Sequence, residues 1–328
     1  MDKEVAIGLD IGGTNSVFGI VDKSGNILYS GKVPTSEFET AQGYVDYLSE
    51  QFHSALNKLN LSETLKGIGI GAPNGNFFKG TIENAANLQW KGIVPLVELL
   101  HKHFGVPVSL TNDANAAALG ELLFGGAQGL QNFIVLTLGT GLGSGIVVNG
   151  DLVYGHDAYA GELGHTFVYL NSGRICGCGR RGCLETYVSA QGLRRTALEL
   201  LSEYNIQSEL RDVAVKDITS ERVYNAAVNK DEIALKAFDI TGKYLGMKLS
   251  DFVATISPSH VFLYGGLAKS GDLILKPAKK YMEENIFGQY KNKVKLLLSE
   301  LNETNGALLG SAALVWKKRK KGKTSLLD

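Results

Sequence analysis

The chain of 328 residues contains only three cysteines and six prolines. No stretch approaches the run of about eighteen apolar residues that a membrane-spanning helix requires. The amino terminus, MDKEVAIGLDI, lacks the charged region and long apolar run of a signal peptide. The formal net charge is zero, so no overall field favours a nucleic acid or a membrane surface. We therefore expect neither a nucleic-acid partner nor a membrane partner.

Two common nucleotide-binding patterns are also missing. The Walker A spacing of P-loop NTPases is absent, and the first strand turn lacks the G-x-G-x-x-G spacing of dinucleotide enzymes. The composition is otherwise ordinary, with 44% hydrophobic and 20% charged residues. This length predicts a large core and two domains.

All three cysteines, Cys176, Cys178 and Cys183, lie within eight positions, and His165 precedes them. A set of three cysteines and one histidine is a standard ligand set for structural zinc. Reduced, clustered cysteines also fit a cytosolic protein better than a secreted one. The sequence therefore predicts a zinc site made by these four residues.

Two carboxylates flank this cluster. Glu162 and His165 are three residues apart and would share one face of a helical turn, while Glu185 follows the last cysteine by two residues. A metal that joins the two ends of the segment would bring these three side chains to one wall of a cleft. Carboxylates accept hydrogen bonds from hydroxyl groups and an imidazole donates one, so we predict a polyhydroxylated ligand here.

A glycine-rich turn follows the first predicted strand. Residues 5–11 and 17–22 are apolar runs on either side of GGTN, which predicts a hairpin whose turn exposes backbone N–H groups to phosphate oxygens. Asp10, at the end of the first strand, is placed to hold magnesium directly or through water. The candidate phosphate-binding residues are Gly12, Gly13, Thr14 and Asn15.

The pattern returns at 132–148, NFIVLTLGTGLGSGIVV, with Thr140 and Gly141 at the tip. Two such hairpins about 125 residues apart indicate a duplicated unit in which each half offers one phosphate turn. This arrangement resembles the actin-like and hexokinase-like ATPases.

The stretch 111–125, TNDANAAALGELLFG, predicts a strand end followed by a helix. Asp113 would lie between the two, and kinases use a carboxylate to accept the proton of the acceptor hydroxyl. The alternative is that Asn112 or Asp113 is a helix N-cap, which the local pattern alone favours.

Three motifs together resemble the ROK sugar kinases (repressors, open reading frames, kinases). They are E-x-G-H, C-x-C-G-x-x-G-C-x-E and N-D-x-N-A-x-A-x-G-E, and the resemblance extends from Val5 to about Trp316. It implies an α/β, actin-like ATPase (ribonuclease H-like) duplicated fold of two lobes with a cleft between them. The implied lobes are 1–112 plus about 305–320, and 113–304 with the zinc site; a disordered basic tail is expected at 319–328.

The resemblance also implies an activity: transfer of phosphate from MgATP to the 6-hydroxyl of an aldohexose, with glucose favoured, by a homodimer. Asp113 would be the catalytic base, Zn²⁺ would be structural, and Mg²⁺ would accompany ATP. Gly265 and Gly266, which end the strand at 259–266, would face the adenosine. The implied sugar-binding residues are Gly75, Asn87, Asn112, Asp113, Glu162, His165 and Glu185.

The chain departs from the family at one point. The usual G-x-P-G is Gly71-Ala72-Pro73-Asn74 here, and Gly75 comes one place later. The residue of the 74–76 loop that contacts the sugar therefore stays open.

Other functions fit the same residues. The acceptor sugar could be N-acetylmannosamine, N-acetylglucosamine or fructose, and polyphosphate could replace ATP, although the balanced charge gives that donor no support. The family also contains sugar-responsive transcriptional repressors, which carry a helix-turn-helix ahead of the DIGGT strand. Only four residues precede Val5, so an enzyme is expected.

Periodicity and turn residues predict further elements. In the helix expected at 40–59, Tyr44, Leu48, Phe52 and Leu59 are spaced to form one apolar face. The last helix is rich in small residues, so we expect it to pack closely against a sheet. The predicted helices are 40–59, 93–104, 185–204, 220–229, 231–252 and 305–318, and the predicted strands include 27–34, 66–73, 106–111 and 259–266.

Overall fold

The computed structural model describes residues 4–301 and 303–317. These residues form two compact units. The first unit comprises the described residues up to Leu130, the segment Leu152–Ala160 and the described residues from Glu300 onward. The second comprises Gln131–Asp151 and Gly161–Ser299.

Thirteen strands and eight α-helices are formed by the described residues. The strands are β1 (Val5–Ile11), β2 (Ser16–Asp22), β3 (Ile27–Val33), β4 (Leu65–Ala72), β5 (Gly75–Asn76), β6 (Thr81–Glu83), β7 (Ile93–Val94), β8 (Val108–Asn112), β9 (Phe133–Leu138), β10 (Leu142–Val148), β11 (Asp151–Leu152), β12 (His260–Tyr264) and β13 (Lys295–Leu298). The helices are α1 (Ala41–Leu59), α2 (Leu96–Phe104), α3 (Asp113–Phe124), α4 (Ala190–Glu203), α5 (Ser220–Val228), α6 (Glu232–Ile256), α7 (Asp272–Asn285) and α8 (Glu303–Trp316). No helix within the described ranges is both long and apolar enough to cross a membrane.

The two large sheets share one topology. The first has the order β3-β2-β1-β4-β8 and the second the order β11-β10-β9-β12-β13. In both, an antiparallel hairpin (β1–β2, β9–β10) is followed by two further strands that add in parallel on the side of its first strand. Because five strands correspond one to one, the predicted duplicated α/β fold is confirmed.

Helix α1 packs into the first unit's core through apolar residues at helical spacing. Thr40 Oγ1 accepts a hydrogen bond from Gly43 N–H and begins the helix, as an N-cap should. Tyr44, Leu48 and Phe52 recur at helical spacing and are fully buried in the first unit's core. The predicted helix and its apolar face are both confirmed.

Helix α8 packs unusually close to the first sheet because glycines line the contact. A Cβ at Gly69 would lie 1.9 Å from the carbonyl oxygen of Ser311, and one at Gly8 would lie 2.3 Å from that of Leu308. Ser311 Oγ also accepts a hydrogen bond from Gly71 N–H at 3.1 Å. The predicted close packing of this small-residue helix is confirmed.

Several features differ from the predicted elements. The predicted helix 93–104 starts only at Leu96, because Ile93 and Val94 form β7. The predicted helix 185–204 is a 3₁₀ turn at Leu184–Thr186 followed by α4, which starts later because Ser189 Oγ caps Gly192 N–H. The predicted strand 259–266 stops at Tyr264, since Gly265 has a φ of +100°. The stretch from 75 to 94 forms a small sheet, β5-β6-β7, and β13 was not predicted.

The lobe boundaries predicted from the sequence stay a prediction. Helix α3 belongs to the first compact unit. The reason is local, because a Cβ at Gly310 of α8 would lie 2.4 Å from the carbonyl oxygen of Ala116 in α3. The predicted tail, 319–328, lies outside the described residues.

We predict that Gly69→Ala lowers the free energy of unfolding by about 1–3 kcal/mol, since the added methyl group would overlap the Ser311 carbonyl. Chemical denaturation of the purified variant measures this. Gly288→Ala is the matched control, because nothing lies within 4 Å of its Cβ position. Equal stability of both variants would contradict the close packing.

Candidate functional site

The functional residues predicted for the first unit lie at one edge of its sheet. Strands β1, β4 and β8 are parallel, and their register pairs Asp10 with Gly71 and Ala72 with Asn112. Helix α3 starts directly after β8, at Asp113. Ligands of open α/β sheets bind outside the carboxyl ends of the strands, which is where these residues stand.

Asp10 and Asp113 influence each other. Burial, and then the charge of Asp113, raise the pKa of Asp10 from 3.8 to about 7. The Asp113 side chain is exposed, yet the protein around it displaces enough water to raise the pKa of its carboxyl, against the lowering effect of the Ala114 N–H. The first unit therefore presents an accessible carboxyl group beside a second one that is partly buried.

Asn112 is the N-cap of α3. Its Oδ1 accepts hydrogen bonds from Ala114 N–H at 2.8 Å and Asn115 N–H at 3.1 Å. The N-cap alternative is therefore confirmed for Asn112. The cap uses the amide oxygen, so the amide nitrogen, which donates to no other described residue, is left to donate to a ligand.

The first glycine turn is closed by a hydrogen bond from Gly12 N–H to Asn15 O at 3.1 Å. A Cβ at Gly13 would lie 2.7 Å from the backbone oxygen of Asn87. Asn87, predicted from a different part of the chain, thus lies against the phosphate turn. The Thr14 side chain is exposed at the tip.

The departure from G-x-P-G has a conformational explanation. Asn74 has a φ of +51°, in the left-handed region that glycine adopts freely and asparagine tolerates best among other residues. This position therefore adopts a conformation that either glycine or asparagine can take.

The next two residues of this loop turn inward. Gly75 is buried, and a Cβ there would lie 2.5 Å from the carbonyl oxygen of Thr111, next to Asn112. Asn76, which the sequence did not single out, is buried and accepts hydrogen bonds from Phe78 N–H and Lys79 N–H. Asn76 therefore shapes the loop, and Gly75 offers a ligand only its backbone.

The second unit repeats the arrangement at its own sheet edge. Strands β9 and β12 are parallel with Tyr264 opposite Thr137, and both end at glycines. Gly265 approaches so closely that a Cβ would lie 2.9 Å from Leu138 O. The structure therefore places Gly265, which Gly266 follows, beside the end of β9. The turn with Thr140 and Gly141 starts directly after that strand.

The donor atoms of His165, Cys176, Cys178 and Cys183 all lie within 4.8 Å of one another. We call these four residues the Cys3His cluster. The Cys178 and Cys183 sulfurs are 3.7 Å apart, and Cys176 Sγ is 3.6 Å from His165 Nδ1. Ligands of one tetrahedral zinc would show S···S and S···N separations of about 3.8 and 3.6 Å, from Zn–S and Zn–N bonds of about 2.3 and 2.1 Å. The donor set and its spacing fit zinc.

Backbone hydrogen bonds shape the cluster. Cys176 N–H donates to Arg180 O at 2.9 Å and Gly179 N–H to Cys176 O at 3.1 Å, which closes a tight turn around Cys178. Partial burial raises the pKa of Cys178, but hydrogen bonds from the Arg180 side chain and backbone outweigh it and lower that pKa to about 6. A thiolate, the form that binds metals, is thus favoured at neutral pH.

The two flanking glutamates lie beside His165. Glu162 Oε2 is 3.9 Å from Nε2, and Glu185 Oε1 is 3.7 Å from Nδ1. The Cys176 thiol also donates to Glu185 Oε1 at 2.8 Å, and Glu185 Oε2 lies 2.8 Å from the Cβ position of Gly141. Since Nδ1 faces the cysteines, Nε2 is the nitrogen left for a ligand.

One supporting residue gave no signal in the sequence. Ser144 is buried in β10, and its Oγ donates to the carbonyl oxygen of Gly161, the residue before Glu162. Gly164 also lies against this strand, because a Cβ there would lie 2.1 Å from Leu142 O. A lone serine in a strand resembles any other buried hydroxyl, so a single sequence cannot identify this role.

We expect the purified protein to contain one zinc ion per chain, and removal of zinc to lower the midpoint of thermal unfolding by several degrees. Metal analysis and thermal melts with and without a strong chelator test this. Cys183→Ala should lose the zinc, and the chelator should then have no further effect on its melting. A zinc-free wild type of unchanged stability would contradict the site.

The pKa of Asp10 predicts a pH dependence of stability. Between about pH 4 and 7 the folded protein keeps a proton that the unfolded chain releases, so this contribution to the free energy of unfolding falls as pH rises through that window. The loss is at most about 4 kcal/mol, at 1.4 kcal/mol per pKa unit.

Asp10→Asn removes this titration. Without added magnesium, the stability of the variant relative to wild type should therefore increase from pH 5 to pH 8 by denaturant titration. Asp212→Asn, at an exposed position of the second unit, is the control. A constant difference between Asp10→Asn and wild type would contradict the raised pKa.

Comparison with known proteins places these features in a family. The sequence profile of the ROK family matches residues 6–318. The glucokinase of Halalkalibacterium halodurans is 33% identical over 309 residues, which cover 93% of each chain. The xylose repressor of Bacillus spizizenii is 30% identical, over 94% of this chain and 76% of the repressor.

A solved structure is similar over nearly the whole length. The ROK family glucokinase from Streptomyces griseus, in complex with glucose and AMPPNP, superposes with a TM-score of 0.77 at 34% identity, covering 94% of this chain and 98% of that chain. The match of family, length and fold confirms the resemblance predicted from the three motifs. The chain belongs to the ROK family.

Proposed function

We propose that this protein transfers the terminal phosphoryl group of ATP to the 6-hydroxyl of glucose, forming glucose 6-phosphate and ADP. The observation that carries the proposal is the accessible carboxyl of Asp113 at the sheet edge, next to Asp10 and close to a phosphate turn. The glucokinase relatives and the glucose-bound neighbour support the choice of sugar.

Asp113 acts as the general base. The 6-oxygen of the sugar attacks the terminal phosphorus, the bond to the bridging oxygen of ADP breaks, and the hydroxyl proton passes to the Asp113 carboxylate. The surroundings that raise the pKa of Asp113 make it a better proton acceptor than an ordinary aspartate.

The sugar is recognised by complementary hydrogen-bonding groups. The carboxylates of Glu162 and Glu185 accept from hydroxyls, while the Asn112 amide and His165 Nε2 bond others. A site that pairs with each hydroxyl rejects analogues that leave its polar groups unpaired. Gly75 would complete the set through the backbone of β5, and Asn87 would do so from its position against the turn at Gly12–Asn15.

The nucleotide is held by backbone groups. The turns at Gly12–Asn15 and at Thr140–Gly141 bind the phosphates through N–H groups and hydroxyls, and Gly265 and Gly266 face the adenosine. Asp10 offers a hard oxygen ligand that suits magnesium, directly or through water. When bound, the magnesium would neutralise charge on the phosphates.

Zinc would serve structure rather than chemistry. The Cys3His cluster would hold it, and through His165 it would fix a sugar-binding side chain. We further propose, on the family resemblance, that the protein is a cytosolic homodimer; light scattering tests the oligomeric state.

The substrate is tested by ADP release from MgATP over glucose, mannose, fructose, N-acetylmannosamine and N-acetylglucosamine, with polyphosphate as a second donor. We expect the highest kcat/KM with glucose and ATP. A preference for an N-acetyl sugar would keep the fold and the base but reassign the substrate. No turnover on any sugar would contradict a kinase.

We predict that Asp113→Asn lowers kcat by about 10³-fold, since an amide cannot accept the proton. Its affinity for the hexose should change little, as measured by calorimetry. Asp46→Asn controls for the loss of one carboxylate and should keep full turnover. A variant at Asp113 that loses sugar binding but keeps kcat would overturn the assignment of the base.

A further inference from the structure

A single arginine, Arg174, connects the 3₁₀ turn at Leu184–Thr186 to helix α4. Arg174 lies two residues before Cys176, and only 10% of its side chain is exposed. All five of its guanidinium N–H groups have acceptors within the second unit. These are Thr186 O (2.7 Å), Gly192 O (3.1 Å), Thr196 Oγ1 (2.9 Å) and both carboxylate oxygens of Glu199 (2.9 and 2.5 Å).

The rest of Arg174 is equally constrained. Its guanidinium carbon lies 4.4 Å from the centre of the Tyr187 ring, and its backbone N–H donates to the hydroxyl of that tyrosine at 3.0 Å. Its carbonyl oxygen accepts from Gly182 N–H, beside Cys183. A surface arginine that only carried charge would not satisfy every donor in this way.

These contacts converge on the backbone that carries Glu185. Thr186, whose carbonyl receives the shortest of the neutral-acceptor bonds, directly follows Glu185 in the 3₁₀ turn. The other acceptors lie in the first three turns of α4. Arg174 therefore ties the 3₁₀ turn to a rigid helix through bonds that involve none of the four residues of the Cys3His cluster.

We propose that Arg174 is a positioning residue for the sugar site: it fixes Glu185 independently of zinc. On this view the cluster orients the side chain of His165, while Arg174 sets the backbone from which Glu185 extends. The inference rests on the proposed function, because it assigns Glu185 to the hexose.

Substitution of Arg174 should distinguish its contribution from that of the Cys3His cluster. Arg174→Lys keeps the charge but offers three donors on one nitrogen, which cannot span the 3₁₀ turn, the helix and Glu199. We expect zinc content to be unchanged and the KM for hexose to rise about tenfold or more, with kcat and the KM for ATP changing much less. A higher KM with little change in kcat indicates that the variant has lost an interaction made equally in the ground state and the transition state.

Two further variants keep the test decisive. Glu199→Gln removes one charge at an exposed position and should give a smaller rise in the same KM, even if Arg174→Lys folds poorly. Arg174→Ala should recover part of its hexose affinity in millimolar guanidinium chloride, because the free guanidinium ion can bind the acceptors that the arginine side chain no longer occupies.

The matched control is Arg211→Lys. Arg211 also donates to three backbone carbonyls in the second unit, at Leu201, Tyr204 and Ile206, but these lie at the far end of α4. It should lower stability without changing the KM for hexose. A similar KM change in both variants would show a general loss of stability and overturn the proposal.

Hydrogen exchange gives a readout that does not depend on the substrate. In zinc-loaded Arg174→Lys, the amides of Thr186 and Tyr187, which bond within the 3₁₀ turn, should exchange faster than in wild type. If the wild type phosphorylates no hexose, the proposed function fails, while exchange still decides whether Arg174 anchors this turn. Unchanged exchange, unchanged KM or loss of zinc in Arg174→Lys would each overturn the inference.

Discussion

The parallel pairing of a central strand with its neighbours is the constraint on which both units depend. In the first unit this pairing aligns the ends of β1, β4 and β8, so that Asp10 and Asp113 stand at one edge although they are far apart in the chain. In the second unit the same pairing aligns β9 with β12 and brings Gly265 beside Leu138, at the end of β9. The order of strands thus creates each group of functional residues.

Close approach of backbone is the second requirement. Glycines in β1 and β4 allow α8 to lie against the sheet, and Gly13, Gly75 and Gly265 allow other segments to reach the strand ends. At each of these positions a side chain would overlap a backbone oxygen, so the small residue is a condition of the geometry. Asn74, which stands where the family usually has glycine, adopts a left-handed conformation.

The second unit uses two kinds of support for the side chains near His165. The Cys3His cluster can bind a metal whose preferred geometry matches the spacing of its donors. The neighbouring segment is instead held by charge-assisted hydrogen bonds from a buried arginine, which are shorter and stronger than neutral ones. The first acts on His165, whose Nδ1 lies 3.7 Å from Glu185 Oε1, and the second acts on Glu185 through the backbone at Thr186.

Local sequence patterns were enough to predict the features that depend on neighbouring residues alone. Periodicity predicted α1 and its buried face, repeated glycine turns predicted the duplication, and residue types predicted the ligands of the Cys3His cluster. Tertiary structure decided which distant groups meet: the contact of Asn87 with Gly13, the roles of Ser144 and Asn76, and the bonding of Arg174. An arginine or serine carries the same local pattern whether it faces solvent or a buried carbonyl, so only the packing of distant segments reveals its acceptors.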